Sequence, residues 1–255
     1  MARKNLGDVL HYFIPEDEQT EARARESETL ADPEPEPAPR RAGPGVRVCV
    51  PAGPERLLWC ALALELAGAL AAESGCARVE ASFPASALWP LVPGVRVTAE
   101  PRDSEAVARA LAESPSEEPV LVLQRSQQVA ELLARPERAL LDGVLLPVDA
   151  SAPGIARALR LLREIAPALE GIPVLAWVVG ARTAREASDL ATRLAAAARR
   201  QHGIDVQVVP ALASDPALFR ALLRGESVHA SDDGTGAGAR ELRELSRWLA
   251  PRRAA

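Results

Sequence analysis

The residues at which this chain could bind a phosphate lie between a short apolar stretch, Val46 to Val50, and a long apolar helix predicted from about Glu55 onward. In open α/β sheets a strand, a tight loop and a helix form the opening unit, and in nucleotide-binding versions N–H groups at the helix N-terminus hold the phosphate. Such a loop needs glycines for close backbone approach and a lysine for charge. Between residues 54 and 60 there is no glycine and no lysine. The seven residues are Pro54, Glu55, Arg56, Leu57, Leu58, Trp59 and Cys60.

This unit resembles the start of the MinD/ParA family of P-loop ATPases, whose loop reads Lys-Gly-Gly-x-Gly-Lys-Thr. The loop needs no gap when Glu65-Leu66-Ala67 is aligned with the family's Asn-Leu-Ala. The family's first Lys then falls on Pro54, and its three glycines fall on Glu55, Arg56 and Leu58. Its phosphate Lys falls on Trp59 and its magnesium Thr falls on Cys60. The resemblance therefore implies a nucleotide-binding fold that has lost its nucleotide, and we expect no cofactor and no metal.

The resemblance covers roughly residues 45–230 and rests on the order of strands and helices. Where the family ends a strand with Asp-x-Asp near its metal, this chain has Ala81-Ser82-Phe83-Pro84. Where the family has an Asp followed by Pro-Pro-Gly, this chain has Gln124 followed by Arg125. The likeness is strongest from Leu141 to Ile165, where Asp142 matches a family acid, whereas Gly180-Ala181 stands at the place of the Asn that reads adenine.

Hydrophobic patterning predicts alternating strands and helices through the rest of the chain. The predicted strands are Ala77 to Phe83, Val95 to Thr98, Pro119 to Gln124, Ala139 to Val148, Ile172 to Gly180 and Ile204 to Pro210. The predicted helices are Ser104 to Glu113, Gln128 to Arg135, Ala152 to Glu164, Arg185 to His202, one ending at Arg224, and Ala239 to Ala250. Such alternation gives right-handed crossovers. We expect an α/β domain over residues 45–255, an open, mostly parallel sheet with helices on both faces in the three-layer P-loop NTPase-like arrangement.

A disordered tail with a docking helix is predicted before this domain. In residues 1–15 an apolar helical stripe is formed by Leu6, Val9, Leu10, Phe13 and Ile14. Residues 16–44 are acidic and rich in proline, with little to bury, and predict a disordered linker. A short amphipathic helix on a tether is typical of a peptide that docks in a partner's groove. The alternative, docking on its own domain, carries equal weight, because an isolated helix this short is marginal in water.

The composition of the chain limits the classes of partner that we expect. A net charge of −5 and a pI near 5.4 argue against a nucleic-acid surface. The start lacks the features of a signal peptide and no run of about 18 continuous apolar residues occurs, so we expect a cytoplasmic protein. The last predicted helix places four apolar residues on one side and could bind a membrane surface, but its glutamates favour packing against the domain. We therefore expect protein partners and consider membrane binding the weaker alternative.

The other residues that could do chemistry form no convincing site. His11, His202 and His229 are scattered, and Cys49, Cys60 and Cys76 form no Cys-x-x-Cys pair and are expected to be reduced. The glycine-rich run at 234–238 lacks the preceding strand that a dinucleotide loop requires. Arg182 and Arg185, after a predicted strand, could hold an anion or simply be exposed.

These observations predict a non-catalytic MinD/ParA-like protein, a pseudo-ATPase. We expect it to act as a regulator or scaffold in the positioning or partitioning of cell structures, through protein–protein contacts. The resemblance implies that homodimers, or heterodimers with an active relative, could form. Two alternatives stay open: an active ATP-binding positioning ATPase with an atypical phosphate loop, and a membrane-surface adaptor that uses the terminal helices.

Overall fold

The computed structural model describes residues 45–52, 57–84, 92–98, 102–228 and 236–250. The predictions for the docking helix in residues 1–15 and the linker in 16–44 lie outside this part of the chain. The strands are β1 (Arg47–Pro51), β2 (Ala77–Ala81), β3 (Val95–Val97), β4 (Val120–Gln124), β5 (Gly143–Asp149), β6 (Val174–Ala181), β7 (Val206–Val208) and β8 (Leu212–Ala213). The helices are α1 (Leu57–Ser74), α2 (Ser104–Glu113), α3 (Ser126–Leu133), α4 (Ala152–Leu169), α5 (Ala184–His202), α6 (Pro216–Leu223) and α7 (Ala237–Leu249).

The eight strands form one open sheet in the order β3-β2-β4-β1-β5-β6-β7, with β8 also paired to β6. Every pairing among the described strands is parallel. The central strand β1 pairs with β4, where Pro51 lies opposite Gln124, and with β5, where Cys49 lies opposite Val144. The carboxyl ends of β1, β4 and β5 therefore meet at one edge of the sheet. The predicted α/β fold, an open parallel sheet with helices, is confirmed.

The central strands are continuous apolar runs because both of their faces are buried. Side chains alternate between two cores along β4: Leu121 and Leu123 enter the core beneath α1, whereas Val120 and Val122 enter the core beneath α3, α4 and α5. The two cores lie on opposite faces of the sheet, which is the predicted three-layer arrangement.

Helix α1 fills one of these cores. Twelve consecutive residues, Cys60 to Ala71, are buried, although the helix carries Glu65 among them. By length and composition α1 is apolar enough to cross a membrane. Here it packs against β2 and β4 on one side and against α6 and α7 on the other. A helix that is apolar all round is expected either in a membrane or in such a core.

Besides small shifts at the ends of several elements, the observed elements differ from the predicted ones in three places. The strand predicted from Ala139 is wrong at its start, because residues Pro136–Leu140 form a 3₁₀ helix and β5 begins only at Gly143. Proline at the first position favours this turn over an extended strand. Helix α4 continues to Leu169 with Pro167 in its last turn, and the short strand β8 was not predicted.

Candidate functional site

The first turn of α1 follows the central strand β1, and the resemblance noted in the sequence places a phosphate-binding loop at this connection. Leu57 is 40% and Leu58 is 39% exposed, whereas Cys60 has no exposed surface. Trp59 is half-buried and packs against the core beneath α1. Pro54, Glu55 and Arg56, the rest of the predicted degenerate loop, lie outside the described residues. The described positions thus present two leucines, an indole and a buried thiol.

The carboxyl ends of β2 and β4 also lack the acids that would hold a metal. After Ala81, the hydroxyl of Ser82 accepts a hydrogen bond from the backbone N–H of Arg125, at 3.2 Å. At the end of β4, Gln124 is fully buried, and neither its Nε2 nor its Oε1 has a hydrogen-bond partner among the described residues. Within the same part of the chain, no three His, Cys, Asp or Glu side chains group together in a way that could hold a metal ion.

One carboxylate near this edge, Glu80, is already committed to other contacts. It is 3.6 Å from Arg78 and 3.3 Å from Arg102, and Thr98 donates a hydrogen bond to it. Its side chain is almost completely buried, so the arginines compensate the cost of removing its charge from water. Glu80 therefore belongs to a structural ion pair.

The turn from β5 into α4 is the most tightly built connection at this edge. Ser151 caps α4 by accepting a hydrogen bond from the N–H of Gly154, at 3.2 Å. A Cβ added at Gly154 would lie 2.3 Å from the carbonyl oxygen of Asp149 and 2.7 Å from its Cβ. Glycine is required here by close packing, and this packing fixes which residues of α4 face the edge of the sheet.

A cavity of about 400 Å³ lies above the carboxyl ends of β1, β4 and β5. Its walls come from the ends of these strands, from the start of α3 and from one face of α4. The lining residues are Pro51, Trp59, Arg125, Ser126, Gln127, Leu146, Pro147, Asp149, Gly154, Arg157, Ala158, Arg160, Leu161 and Glu164. We call the group Arg125, Arg157 and Arg160 the arginine cluster.

The three arginines of the arginine cluster make no ion pair with the described residues. None of its three guanidinium groups makes an ion pair or a side-chain hydrogen bond with any residue in the described ranges. Asp149 and Glu164 also line the cavity without pairing to the cluster. Some other surface arginines are paired, as Arg199 is with Asp205 at 2.6 Å. Unpaired guanidinium groups around a cavity favour a ligand that carries carboxylate or phosphate.

Two arginines considered in the sequence, Arg182 and Arg185, do not contribute to this cavity. Arg182 donates to Glu186 through its backbone N–H at 2.8 Å and through its side chain at 3.2 Å. These bonds lower the pKa of the Glu186 carboxyl and raise that of Arg182. Arg185 is exposed on α5. The geometry favours the structural alternative for both arginines.

Asp142, which matches a family acid in the sequence, lies at the opposite edge of the sheet, before β5 begins. Its Oδ2 accepts a hydrogen bond from the backbone N–H of Arg47, at 2.7 Å. It therefore helps to set the register of β5 beside β1.

The C-terminal helix α7 is fixed to the domain through its start and its apolar face. Asp215 caps α6 by accepting from Ala217 and Leu218, and also accepts from the N–H of Gly238 in α7, at 2.9 Å. These backbone donors lower the pKa of the Asp215 carboxyl. The apolar face of α7 is buried, mainly against α1, through Leu242, Leu245 and Leu249. This contact favours packing on the domain over binding to a membrane.

The sequence singles out Trp59 but not the residues of α4 that line the cavity. Arg157 and Arg160 lie at i and i+3 in a helix with polar residues on its outer face, which is the pattern of an ordinary solvated surface. In the sequence, Gln124 stands out only because it lies where the family has an acid. A usable signal was present in Gly154, because a glycine in the first turn of a helix indicates a close approach.

Comparison with known proteins identifies the fold but does not show a family. No protein-family model matches the chain, and no curated protein sequence matches it at a significant level. Among solved structures, the fold is similar to the MinD cell division protein of Aquifex aeolicus, with 13% identity, a TM-score of 0.54, and coverage of 80% of this chain and 97% of that one. It is also similar to the MinC:MinD cell division protein complex of the same organism, with 13% identity, a TM-score of 0.51, and coverage of 80% and 95%. The chain therefore has the fold of MinD.

Proposed function

We propose that this protein is a non-catalytic member of the MinD/ParA group, a pseudo-ATPase that serves as a regulator or scaffold in the positioning or partitioning of cell structures. The fold supports the comparison with MinD, described as a cell division protein. The first turn of α1 supports the loss of catalysis. The protein would act in the cytoplasm through contacts with other proteins.

The observation that carries this proposal is the pair Trp59 and Cys60. In the alignment with the family loop these residues replace the phosphate Lys and the magnesium Thr. Cys60 is completely buried, and its neighbour Trp59 packs against the same core. Neither side chain supplies a cation or a hydroxyl to a triphosphate, which needs both in P-loop proteins.

The residues at the carboxyl ends of β4 and β2 also support this proposal. The end of β4 carries the neutral amide of Gln124, and the end of β2 carries no carboxylate between Ala81 and Pro84. Magnesium in phosphate sites is bound by one or two carboxylates together with the phosphates. Glu80, the acid nearest in sequence, is held by Arg78 and Arg102.

Isothermal titration of the full chain with ATP and Mg²⁺ tests the proposal. We expect no heat of binding at micromolar to submillimolar ATP. A loop variant with Trp59→Lys, Cys60→Thr and glycines at 55, 56 and 58 is the matched comparison. Trp59→Lys alone is expected to bind no ATP, because a single cation does not replace the missing backbone approach. Micromolar binding by the unmodified chain would contradict the proposal and favour the working ATPase with an atypical loop.

The partner is proposed to bind the predicted N-terminal helix. Full-length protein is used as bait and compared with the double variant Leu10→Asp, Phe13→Asp, which removes the apolar stripe without shortening the chain. We expect the unmodified protein to retain a partner that the Leu10→Asp, Phe13→Asp variant does not retain. A double variant at polar positions of the same segment, Asn5→Ala with Asp8→Ala, is the control. Identical retention by all three proteins would exclude docking through this stripe.

A further inference from the structure

We propose that the cavity above β1, β4 and β5 binds a small organic anion of low charge. The ligand is a molecule with one or two carboxylate or phosphate groups and with hydroxyl or ammonium groups beside them. The inference goes beyond the proposed loss of ATPase activity, because it assigns a ligand of another class to this edge of the sheet. It is carried by the arginine cluster, by two acidic side chains in the same wall, and by the size of the cavity.

The arginine cluster supplies the positive charge of the cavity. Arg157 and Arg160 are exposed on α4 and three positions apart, so they lie on the same face of this helix. Arg125 enters the wall of the same cavity from the start of α3. None of the three makes an ion pair or a side-chain hydrogen bond with any residue in the described ranges. A guanidinium group binds carboxylate or phosphate through two parallel hydrogen bonds, so three of them around one space favour an oxyanion.

The start of α3 adds neutral donors to the same wall. Ser126 and Gln127 line the cavity, and no described side chain caps this helix at its N-cap residue, Arg125. The first N–H groups of a helix have no partner inside the helix, and they favour negative charge. The start of α3 alone does not define a site. Together with the arginine cluster, it gives an oxyanion both guanidinium and N–H donors.

Two acidic side chains in the cavity wall limit the charge of the ligand. Asp149 ends β5 and Glu164 follows Arg160 by four positions on α4, and both acids line the cavity. Three guanidinium groups and two carboxylates leave one net positive charge. A ligand of high negative charge, such as a triphosphate, would be repelled by Asp149 and Glu164. A ligand with one or two oxyanion groups fits the net charge, and its hydroxyl or ammonium groups can donate to these carboxylates.

The size of the cavity and its apolar walls favour an organic molecule over a bare inorganic ion. A volume of about 400 Å³ lies within the usual range for small-molecule sites. Pro147 and Leu161 are half-buried in its wall, and the half-buried indole of Trp59 lines it as well. These side chains can contact the carbon skeleton of a ligand, whereas an inorganic ion would contact only the polar groups.

Isothermal titration of the full chain, in buffer with EDTA and without Mg²⁺, tests the site with inorganic phosphate, glycerol 3-phosphate and malate. We expect at least one of the two organic anions to bind with a dissociation constant of about 1 mM or lower, and about tenfold more tightly than inorganic phosphate. Tighter binding of glycerol 3-phosphate identifies a phosphate ligand, and tighter binding of malate identifies a carboxylate. No binding of either organic anion, or equally tight binding of inorganic phosphate, would overturn the proposal.

Matched variants on α4 locate the bound anion. The double variant Arg157→Gln, Arg160→Gln should weaken binding by about tenfold or more, because it removes charge-assisted hydrogen bonds to the ligand. Arg163→Gln removes an exposed arginine of the same helix that does not line the cavity, and it should leave binding unchanged. Equal weakening by both variants would show an attraction to the general charge of α4 and would contradict a site in the cavity.

Neutralising the two acids tests the limit on ligand charge. Asp149→Asn with Glu164→Gln should lower the preference for glycerol 3-phosphate over pyrophosphate by about tenfold, because it removes the repulsion of the more highly charged anion. An unchanged preference would contradict the role given to Asp149 and Glu164, and with it the low charge of the ligand.

The indole in the cavity wall provides a spectroscopic test of position. Binding of the organic anion should change the tryptophan fluorescence of the unmodified chain, because Trp59 lines the cavity. Trp59→Phe should still bind the anion in the titration but should lose this change in fluorescence. A change in fluorescence that persists in Trp59→Phe would place the anion elsewhere and overturn the assignment to the cavity.

The anion site and the proposed loss of ATPase activity fail separately. Micromolar ATP binding that needs Mg²⁺ and persists in the Arg157→Gln, Arg160→Gln variant would contradict the loss of ATPase activity and leave the anion site standing. Failure of both glycerol 3-phosphate and malate to bind without Mg²⁺ would overturn the anion site and leave the proposed pseudo-ATPase unchanged.

Discussion

Replacing Gln124 by methionine is expected to stabilise the protein. The side chain is fully buried at the end of the central strand β4, and both of its polar atoms have no hydrogen-bond partner among the described residues. A buried amide without partners costs about 1–3 kcal/mol in protein mutational data. Methionine has a similar volume and no strong polar group, so Gln124→Met removes this cost while it keeps the packing. The backbone hydrogen bond from the N–H of Ala52 to the carbonyl oxygen of Gln124, at 2.7 Å, is unaffected.

We expect Gln124→Met to raise the free energy of unfolding by about 1–2 kcal/mol. Urea unfolding measures this as a higher midpoint with an unchanged m-value. In a domain of this size the melting temperature should rise by about 2–4 °C for each kcal/mol. The control is Gln127→Met, three residues later and exposed, which should change stability by less than about 0.5 kcal/mol.

A loss of stability in Gln124→Met would refute the reasoning. It would mean that the buried amide has a partner, such as an enclosed water molecule. An unchanged stability would show that the cost of burying the amide is balanced by tighter packing of glutamine than of methionine.

Three further predictions concern a closely packed glycine, a helix cap and the cysteines. Gly154→Ala should destabilise the protein by more than 2 kcal/mol in urea unfolding, roughly the upper end for forced overpacking, because its Cβ would lie 2.3 Å from the carbonyl oxygen of Asp149. Asp215→Ala should destabilise α6 and α7 by about 1–2 kcal/mol at pH 7. Because the folded pKa of Asp215 is lowered, its contribution is complete above the unfolded value and is lost as the pH falls through the folded one, so the difference between wild type and Asp215→Ala should shrink as the pH falls below the ordinary aspartate pKa of about 3.9. Under native conditions at pH 8 a thiol reagent should modify Cys76, which is half-buried, and leave Cys49 unmodified, since burial raises the pKa of its thiol to about 12; equal rates at both cysteines would contradict this.

The fold could be predicted from the sequence because each central strand can be recognised from its own residues. The runs Val46 to Val50 and Pro119 to Gln124 are continuously apolar and bounded by turn residues, and the structure places them beside each other as β1 and β4. The apolar residues Ala139 to Leu141 gave the same signal and were misassigned. Their conformation is set by Pro136 and by the hydrogen bonds of a 3₁₀ turn, which periodicity does not register.

The site was predictable only in part. The proposed replacement of the phosphate residues comes from the sequence, where the alignment places Trp59 and Cys60 at the positions of the family's phosphate Lys and magnesium Thr. The cavity is not visible, because its arginines come from the starts of two helices that follow different strands. Which residues of α4 face that edge depends on how closely Gly154 approaches Asp149. That contact is tertiary and leaves no periodic trace in the sequence.

The ion pairs around Glu80 and Glu118 have a consequence for the behaviour of the protein at high concentration. Arg96 lies on the outermost strand β3 and pairs with Glu118, whose carboxylate is also 3.4 Å from Arg78. This strand and β7 at the other margin are each only three residues long. A short margin that carries a charged side chain is a poor template for a foreign strand. The sheet is thus protected against edge-to-edge polymerisation, and the protein can be concentrated without forming fibres through these two strands.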